Sequence, residues 1–251
     1  MRKTLSVAVI TRNEETNLER TLGTISWADE IVIVDSGSTD ATEEIARKFK
    51  ARFFDEEWKG FAAQKNSALQ KCTCDWVLSL DADEMLSDAL GKEIWAVLHD
   101  EAGPDGYWIP RRNLFLGRWI RHGGFYPDLK MRLFHRGSAE FETRPVHEKV
   151  HFVGKTGRLK GDLVHYAYPT LAVYIDHMDR YSTLGAAGSR KHIGDLVPFL
   201  INVVVNPLAT FLYNYFLRLG FLDGREGLLL HMYHSVYISW KYAKSWELTR
   251  G

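Results

Sequence analysis

The chain has 251 residues, with 32 Lys or Arg balanced by 32 Asp or Glu. That length suits one large α/β domain with a small appendage and excludes two full-sized independent domains. The neutral balance gives no reason to expect nucleic acid as the main partner, so any charge argument must be local. Cys72 and Cys74 are too few and too close for a disulfide framework or a four-ligand zinc site. They read as incidental thiols in a reducing compartment.

In chain order, Leu5 to Ile10 reads as a first strand, too short and too poor in small residues to be a secretory signal. Glu14 to Thr24 follows as a predicted helix. Glu30 to Val34 is apolar between its ends, as expected of a strand buried on both faces of a parallel sheet, and it delivers Asp35 at its carboxyl end. The turn Ser36-Gly37-Ser38-Thr39-Asp40 leads into a helix over Ala41 to Phe49, with Thr39 or Asp40 as cap. Arg52 to Phe54 is a third strand, Phe61 to Lys71 a helix, Trp76 to Leu80 a fourth strand and Asp88 to Asp100 another helix. This alternation predicts a doubly wound, mostly parallel sheet. From Gly106 to about Lys160, short β-like runs such as Gly106 to Pro110 and Lys130 to Phe134 suggest a mixed sheet with acceptor-binding loops.

Beyond Leu171 the chain turns helical. The 22 residues between Asp195 and Arg218 contain no Asp, Glu, Lys or Arg, enough to cross a bilayer on length alone. Pro198, Asn202, Asn206, Pro207 and Asn214 interrupt them, which favours a re-entrant or interfacial helix pair over a straight span. Arg190, Lys191 and Arg218 flank the run, and Tyr213, Tyr215, Trp240 and Trp246 suit a headgroup interface. A buried helix packed on the catalytic domain is the alternative.

The chemistry centres on Asp81-Ala82-Asp83, at the predicted end of the fourth strand. Two carboxylates one residue apart offer hard oxygen ligands to a Mg²⁺ or Mn²⁺ ion that also holds a diphosphate. A helix cap with surface charge is the other reading of such a triplet. Ligands of open α/β sheets bind outside the carboxyl ends of the strands, so Asp35 and the Asp81/Asp83 pair should face one crevice. Neither the glycine fingerprint of dinucleotide folds nor a Gly-Lys-Ser/Thr phosphate loop is present, which argues against a dehydrogenase and a P-loop enzyme.

Val9-Ile10-Thr11-Arg12-Asn13-Glu14-Glu15, Val34-Asp35-Ser36-Gly37-Ser38-Thr39-Asp40-Ala41-Thr42 and Asp81-Ala82-Asp83-Glu84 resemble, in order, the motifs of family 2 inverting glycosyltransferases of GT-A fold. The resemblance implies a nucleotide pocket lined by Thr11, Asn13, Glu14 and Asp35, a ribose contact from Asp81, and a metal ligand in Asp83. Lys65 and Asn66 match a polar pair of such enzymes, or else lie on a solvated helix face. Tyr126-Pro127-Asp128 with Arg132-Leu133-Phe134, Val146-His147-Glu148 and Gly220 through Gly227 are similar to a subgroup that builds the inner core of lipopolysaccharide, described as β-1,4-glucosyltransferases. The implied donor is a UDP-sugar, UDP-glucose in that subgroup, and the implied acceptor a lipid-linked or lipopolysaccharide core saccharide.

Inverting transfer needs a base for the acceptor hydroxyl, and a carboxylate is the usual choice. Glu148 is the first candidate and Asp128 the second. Arg132 is either a helper for the departing diphosphate or a surface arginine. His165 is a further candidate for metal or diphosphate, or a structural group. His231 and His234 read as polar-face residues. Seven Arg or Lys lie between Arg111 and Arg136, which suits an acidic acceptor or simply a solvated loop. Without an RNA-binding motif, nucleic acid is not expected.

These readings predict a catalytic domain over residues 1–170 and a membrane-associated helical extension over 171–251. The expected location is the cytoplasmic face of the bacterial inner membrane, peripheral or monotopic. Transfer to a polyprenyl phosphate, or a non-catalytic nucleotide-sugar-binding membrane adaptor, are the rival functions.

Overall fold

The computed structural model describes residues 2–142, 149–187 and 195–250. The chain forms two compact units, residues 1–111 with 128–165 and residues 112–127 with 166–251.

In the first unit, β1 (Leu5–Thr11) lies between β2 (Glu30–Asp35) and β4 (Trp76–Asp81), all parallel, with β3 (Arg52–Asp55) outside β2. The sheet then continues through β8 (Asp128–His135), β6 (Gly106–Phe115), β12 (Leu163–Tyr168) and β5 (Glu84–Leu86). β8 runs antiparallel to both β4 and β6, and β12 antiparallel to β5. The short β7 (Arg118–Trp119) and β11 (Thr156–Arg158) pair with β6, while β9 (Ala139–Phe141) and β10 (Val150–Phe152) form a separate ribbon. This mixed, mostly parallel core is the expected GT-A type α/β fold.

Strand alternation separates two cores. Leu5, Val7, Val9, Ile31, Ile33, Trp76, Leu78 and Leu80 pack on one face with residues of α1 (Leu18–Gly23), α2 (Thr42–Lys48) and α4 (Asp88–Val97). Ala8, Val32, Val34 and Val77 pack on the other with Ala68 of α3 (Phe61–Lys71). Each large apolar side chain buried in these layers contributes about 1.5–3 kcal/mol. Cys72 is free and belongs to the second layer. Burial pushes its thiol up to about 12, so it stays protonated and inert.

The first helix starts at Leu18, later than expected. Asn13 adopts a left-handed φ of 54°. The amides of Glu14 and Glu15 are taken by Thr42 Oγ1 and by Asp40 Oδ2, so the intervening residues serve the loops at the strand ends. Asp40 also accepts from the Thr42 amide at 3.1 Å, but from outside the helix: the N-cap of α2 is Ala41, without a side-chain cap, in place of the expected Thr39 or Asp40. The last predicted helix of this unit ends at Val97, and the Ser87 hydroxyl caps its start.

In the second unit, Phe115 and Ile120 share a core with Tyr174 and Met178 of α5 (Leu171–Ala187) and Leu230 of α8 (Gly224–Glu247). That shared packing explains why residues 112–127 group with the C-terminal helices.

The apolar segment forms one helical run over Leu196–Leu217 in place of the expected pair. It comprises α6 (Leu196–Leu200), α7 (Asn206–Leu212) and a π-helical turn after each, at Ile201–Val205 and Tyr213–Leu217. Two of the expected interruptions are offset by side-chain hydrogen bonds. Pro207 has no amide to offer the Val203 carbonyl, and the Ser239 hydroxyl donates to that oxygen at 2.8 Å instead. Asn202 donates to the Pro198 carbonyl at 2.8 Å. The alternative of a buried core helix does not hold: only Pro207 of the run is buried, and Leu196 and Leu217 are 70% and 74% exposed.

His231 also departs from expectation. It is 1% exposed, enclosed where a Cβ on Gly123 or Gly220 would lie 1.9 Å and 2.3 Å from the ring. Burial pushes its imidazole below the usual value, so it is a neutral core histidine and not a polar-face residue.

Candidate active site

The registers of β1 bring the motif residues to one edge of the sheet. Thr11 pairs with Asp35 across β2, and Ile10 pairs with Asp81 across β4. Asp35 and Asp81 therefore flank the carboxyl end of the same central strand, the position at which open α/β sheets bind ligands.

Asp35 is buried, and both its oxygens are engaged internally. Oδ1 accepts from the Thr11 and Ser38 hydroxyls, each at 2.6 Å, and Oδ2 accepts from the Ser38 amide at 2.7 Å. The Ser38 hydroxyl also accepts from the Asn13 amide at 2.7 Å, while Asn13 Oδ1 accepts from the Thr39 amide at 2.8 Å. Asp35 thus shapes the two loops that border the crevice. Gly37 supports the turn with φ of 75° and open space where a Cβ would stand, leaving backbone accessible to a close ligand.

Asp81 sits among cations. Lys65 Nζ lies 2.8 Å from Oδ1, Arg132 pairs with Oδ2, and Arg111 stands at 4.0 Å. Burial opposes ionisation of Asp81, yet Arg132 and Lys65 outweigh it and hold the carboxyl well below its ordinary range. Beneath it, Glu84 is 0% exposed. It accepts from the Asp81 amide at 3.0 Å, from Arg111 at 2.9 Å and from Arg132 at 2.8 Å. Arg132 is 4% exposed, so it is a buried member of the site and not a surface arginine. Lys65 is likewise buried and does not lie on a solvated helix face.

Asp83 faces His165, with Oδ2 3.2 Å from Nε2. His165 is placed by its pairing with Glu84 across β12 and β5. Burial works against the charge of Asp83, but the His165 contact prevails and lowers its carboxyl. Glu14 shows the opposite balance. Burial raises its carboxyl; a hydrogen bond from Asn17 opposes this, while the charges of Asp83, Asp40 and Asp81 add to the rise. A cation at this edge would relieve that repulsion. Among the described residues no group of three or more His, Cys, Asp or Glu gathers for a metal. A carboxylate with an imidazole fits an ion that takes its other ligands from a diphosphate and water, as Mg²⁺ and Mn²⁺ commonly do.

Asn66 spends its amide differently from Lys65. It donates to the Phe141 carbonyl at 2.9 Å and accepts from the Phe141 amide at 2.8 Å, fastening β9 to α3. Asp128 accepts from Arg111 at 2.7 Å and lies 3.0 Å from Lys130. Burial raises its carboxyl, but these two cations lower it overall, which makes Asp128 a weak proton acceptor. Glu148 lies outside the described residues. Arg111 and Glu84 were not singled out as site residues from sequence. Arg111 stood only within the basic tract and Glu84 only as the end of the acidic quartet, and a strand register is needed to join them.

A mostly parallel sheet whose central strands end in a buried cation and carboxylate network belongs to the α/β class that binds ligands at this carboxyl edge. Residues 6–181 match the family described as Glycosyl transferase family 2. The lipopolysaccharide core biosynthesis glycosyltransferase LpsC of Rhizobium meliloti is 31% identical over 227 residues, covering 88% of this chain and 82% of that protein. The uncharacterized glycosyltransferase RT0209 of Rickettsia typhi is 28% identical, covering 90% and 81%. The mannosyltransferase PcManGT of Pyrobaculum calidifontis, solved with GDP-Man and Mn²⁺, superposes with a TM-score of 0.56 at 18% identity, covering 98% of this chain and 87% of that one. TarS 1-349 of S. aureus with UDP superposes at 0.51 and 17%, covering 99% and 92%. The chain belongs to glycosyltransferase family 2 and is an enzyme of nucleotide-sugar transfer.

Proposed function

We propose that the enzyme transfers a sugar, glucose in the reading that the motifs favour, from a UDP-sugar to a lipopolysaccharide inner-core acceptor with inversion and with a divalent ion. The observation that carries this reading is the Asp83–His165 pair, 3.2 Å apart, beside the Asp81–Lys65–Arg132 network at the ends of the central strands. The LpsC relative supports the acceptor class by its name, and the PcManGT structure supports the ion by its bound Mn²⁺.

Asp83 and His165 would hold the ion, and its chemistry there is to offset charge on the diphosphate as the glycosidic bond breaks. Thr11, Asn13, Glu14 and Asp35 shape the base and ribose side of the pocket. Lys65 and Arg132 fix the Asp81 carboxylate for a ribose contact and bring positive charge toward the donor. The acceptor hydroxyl attacks the anomeric carbon from the face opposite the leaving diphosphate and passes its proton to a carboxylate, with Glu148 ahead of the doubly paired Asp128. Residues 1–170 form the catalytic part in this proposal and 171–251 its membrane-associated extension.

Thermal shift tests the donor and the ion together. UDP-glucose with Mn²⁺ or Mg²⁺ should raise the melting temperature, by an amount set by ligand concentration over Kd. Other nucleotide sugars, or UDP-glucose with a chelator, should raise it less. An equal rise with the chelator would overturn the ion. Product analysis decides the acceptor: radiolabel partitioning as a polyprenyl-linked sugar would replace the lipopolysaccharide reading, and binding without turnover on any acceptor would favour a silent adaptor.

The exposed apolar run Leu196–Leu217 supports residence at the cytoplasmic face of the inner membrane, peripheral or monotopic. Val204 and Leu208 lie on its exposed surface. The double substitution Val204→Asp and Leu208→Asp should release the full chain from phosphatidylglycerol vesicles in a flotation assay, since each aspartate costs about 2.5–3.5 kcal/mol at a bilayer centre and less toward the interface. Unchanged flotation would refute the anchor.

A further inference from the structure

Within the second unit, a cavity of about 320 Å³ is lined by Arg118, Trp119, Arg121, His122, Leu222 and Asp223. We propose that this cavity binds the phosphate of a phosphorylated glycolipid acceptor through Arg118 and Arg121. The inference deepens the acceptor side of the transfer proposed above and rests on that reading for its meaning.

The one carboxylate in the lining is already committed. Asp223 is 2% exposed. Its Oδ2 accepts from the Arg121 and His122 amides at 3.1 and 2.8 Å, and Oδ1 lies 2.9 Å from His122 Nδ1. It fixes the loop from within, so its charge is offset before a ligand arrives. Arg121 stacks with its guanidinium carbon 4.0 Å from the centre of the Trp119 ring and makes no ion pair among the described residues. Stacking sets the plane of the guanidinium and leaves its N–H edges for an oxyanion. Arg118 meets Glu226 only at 3.6 Å, with both side chains substantially exposed, a pairing that competes weakly with a bound phosphate.

Arg118 also rests against the start of α8. A Cβ on Gly224, whose φ is 71°, would lie 3.2 Å from Arg118 Nη1. No side-chain hydrogen bond caps this 24-residue helix, so its opening amides add positive potential beside the two guanidinium groups.

The rim accounts for the lipid. Leu222 lines the cavity, and exposed Leu219 and Phe221 continue the exposed apolar run that ends at Leu217. A free phosphate would use only the cationic half of this surface. A phosphate head with acyl chains uses both. A partly open cavity with two arginines, on a chain of zero net charge, suits a single headgroup better than a polynucleotide.

Binding is measured on the full chain without turnover. The probes are monophosphoryl lipid A in mixed micelles, phosphatidylglycerol in the same micelles, and glucose 1-phosphate in solution. The phosphorylated glycolipid should bind at least tenfold more tightly than either of the others, and Arg118→Gln with Arg121→Gln should erase that margin. Arg121→Gln alone serves as the milder variant, and donor-induced thermal shift reports whether each variant is folded. Equal binding of phosphatidylglycerol would make the cavity a general headgroup dock and overturn the acceptor assignment. Equal binding of glucose 1-phosphate would overturn the role of the apolar rim, and a folded variant with wild-type glycolipid affinity would overturn the site. Failure of the transfer reading would show separately, as wild-type protein that does not bind UDP-glucose.

Discussion

Asp83→Ala is expected to lower kcat/KM for the donor by about 10²–10³-fold, the scale on which removing one stabiliser of developing charge acts. Asp83 stands in the crevice with His165 3.2 Å away as its described partner of opposite character, and it is not enclosed by the Lys65 and Arg132 cations that neutralise Asp81. Its loss should therefore act on donor and ion more than on the fold. Steady-state kinetics across a Mn²⁺ titration would show it: the variant should need far more ion or fail to respond to it. His165→Ala should shift the same titration in the same direction by less, because one imidazole ligand is lost and the carboxylate remains. Full activity in Asp83→Ala would remove the ion from this residue.

Arg132→Ala is expected to destabilise the first unit by about 3 kcal/mol, the lower end of the cost of breaking a buried ion pair. Arg132 bridges Asp81 and the fully buried Glu84, and its guanidinium holds its charge more firmly than usual because those two carboxylates overcome the cost of burial. Arg111 and Lys65 remain on the same carboxylates, which is why the larger values are not expected. A loss of this size lowers the melting temperature by roughly 6–12 °C in a protein of this length, measurable by calorimetry. Arg132→Lys should recover part of it, restoring the charge but not the fork that reaches both carboxylates. A shift under 1–2 °C for Arg132→Ala would mean that the network does not hold this edge of the sheet together.

Much of the first unit was legible in the sequence because its signals are local. The apolar runs ending in Asp35 and Asp81 mark strands buried on both faces, and those strands occur where the pattern puts them. The helix Phe61–Lys71 has the bounds expected of it. The first helix was misread at its start because residues that look helical in isolation are claimed by Asp40 and Thr42 from the next loop. Lys65 and Arg132 were ambiguous for a related reason: nothing in a cation's neighbours along the chain tells whether it meets water or a carboxylate.

The sequence by itself determined the order of the strands and helices, the placement of acidic residues at strand ends, and the apolar character of the C-terminal run, since each follows from periodicity or turn chemistry over a few residues. Only the tertiary structure decided which charges meet. Asp81 joins Lys65 and Arg132, Asp83 joins His165, and residues 112–127 join the C-terminal helices through strand registers and packing between segments far apart in the chain. The physical reason is that a buried charge must find a partner wherever the fold supplies one, and that choice is made across space and not along the sequence.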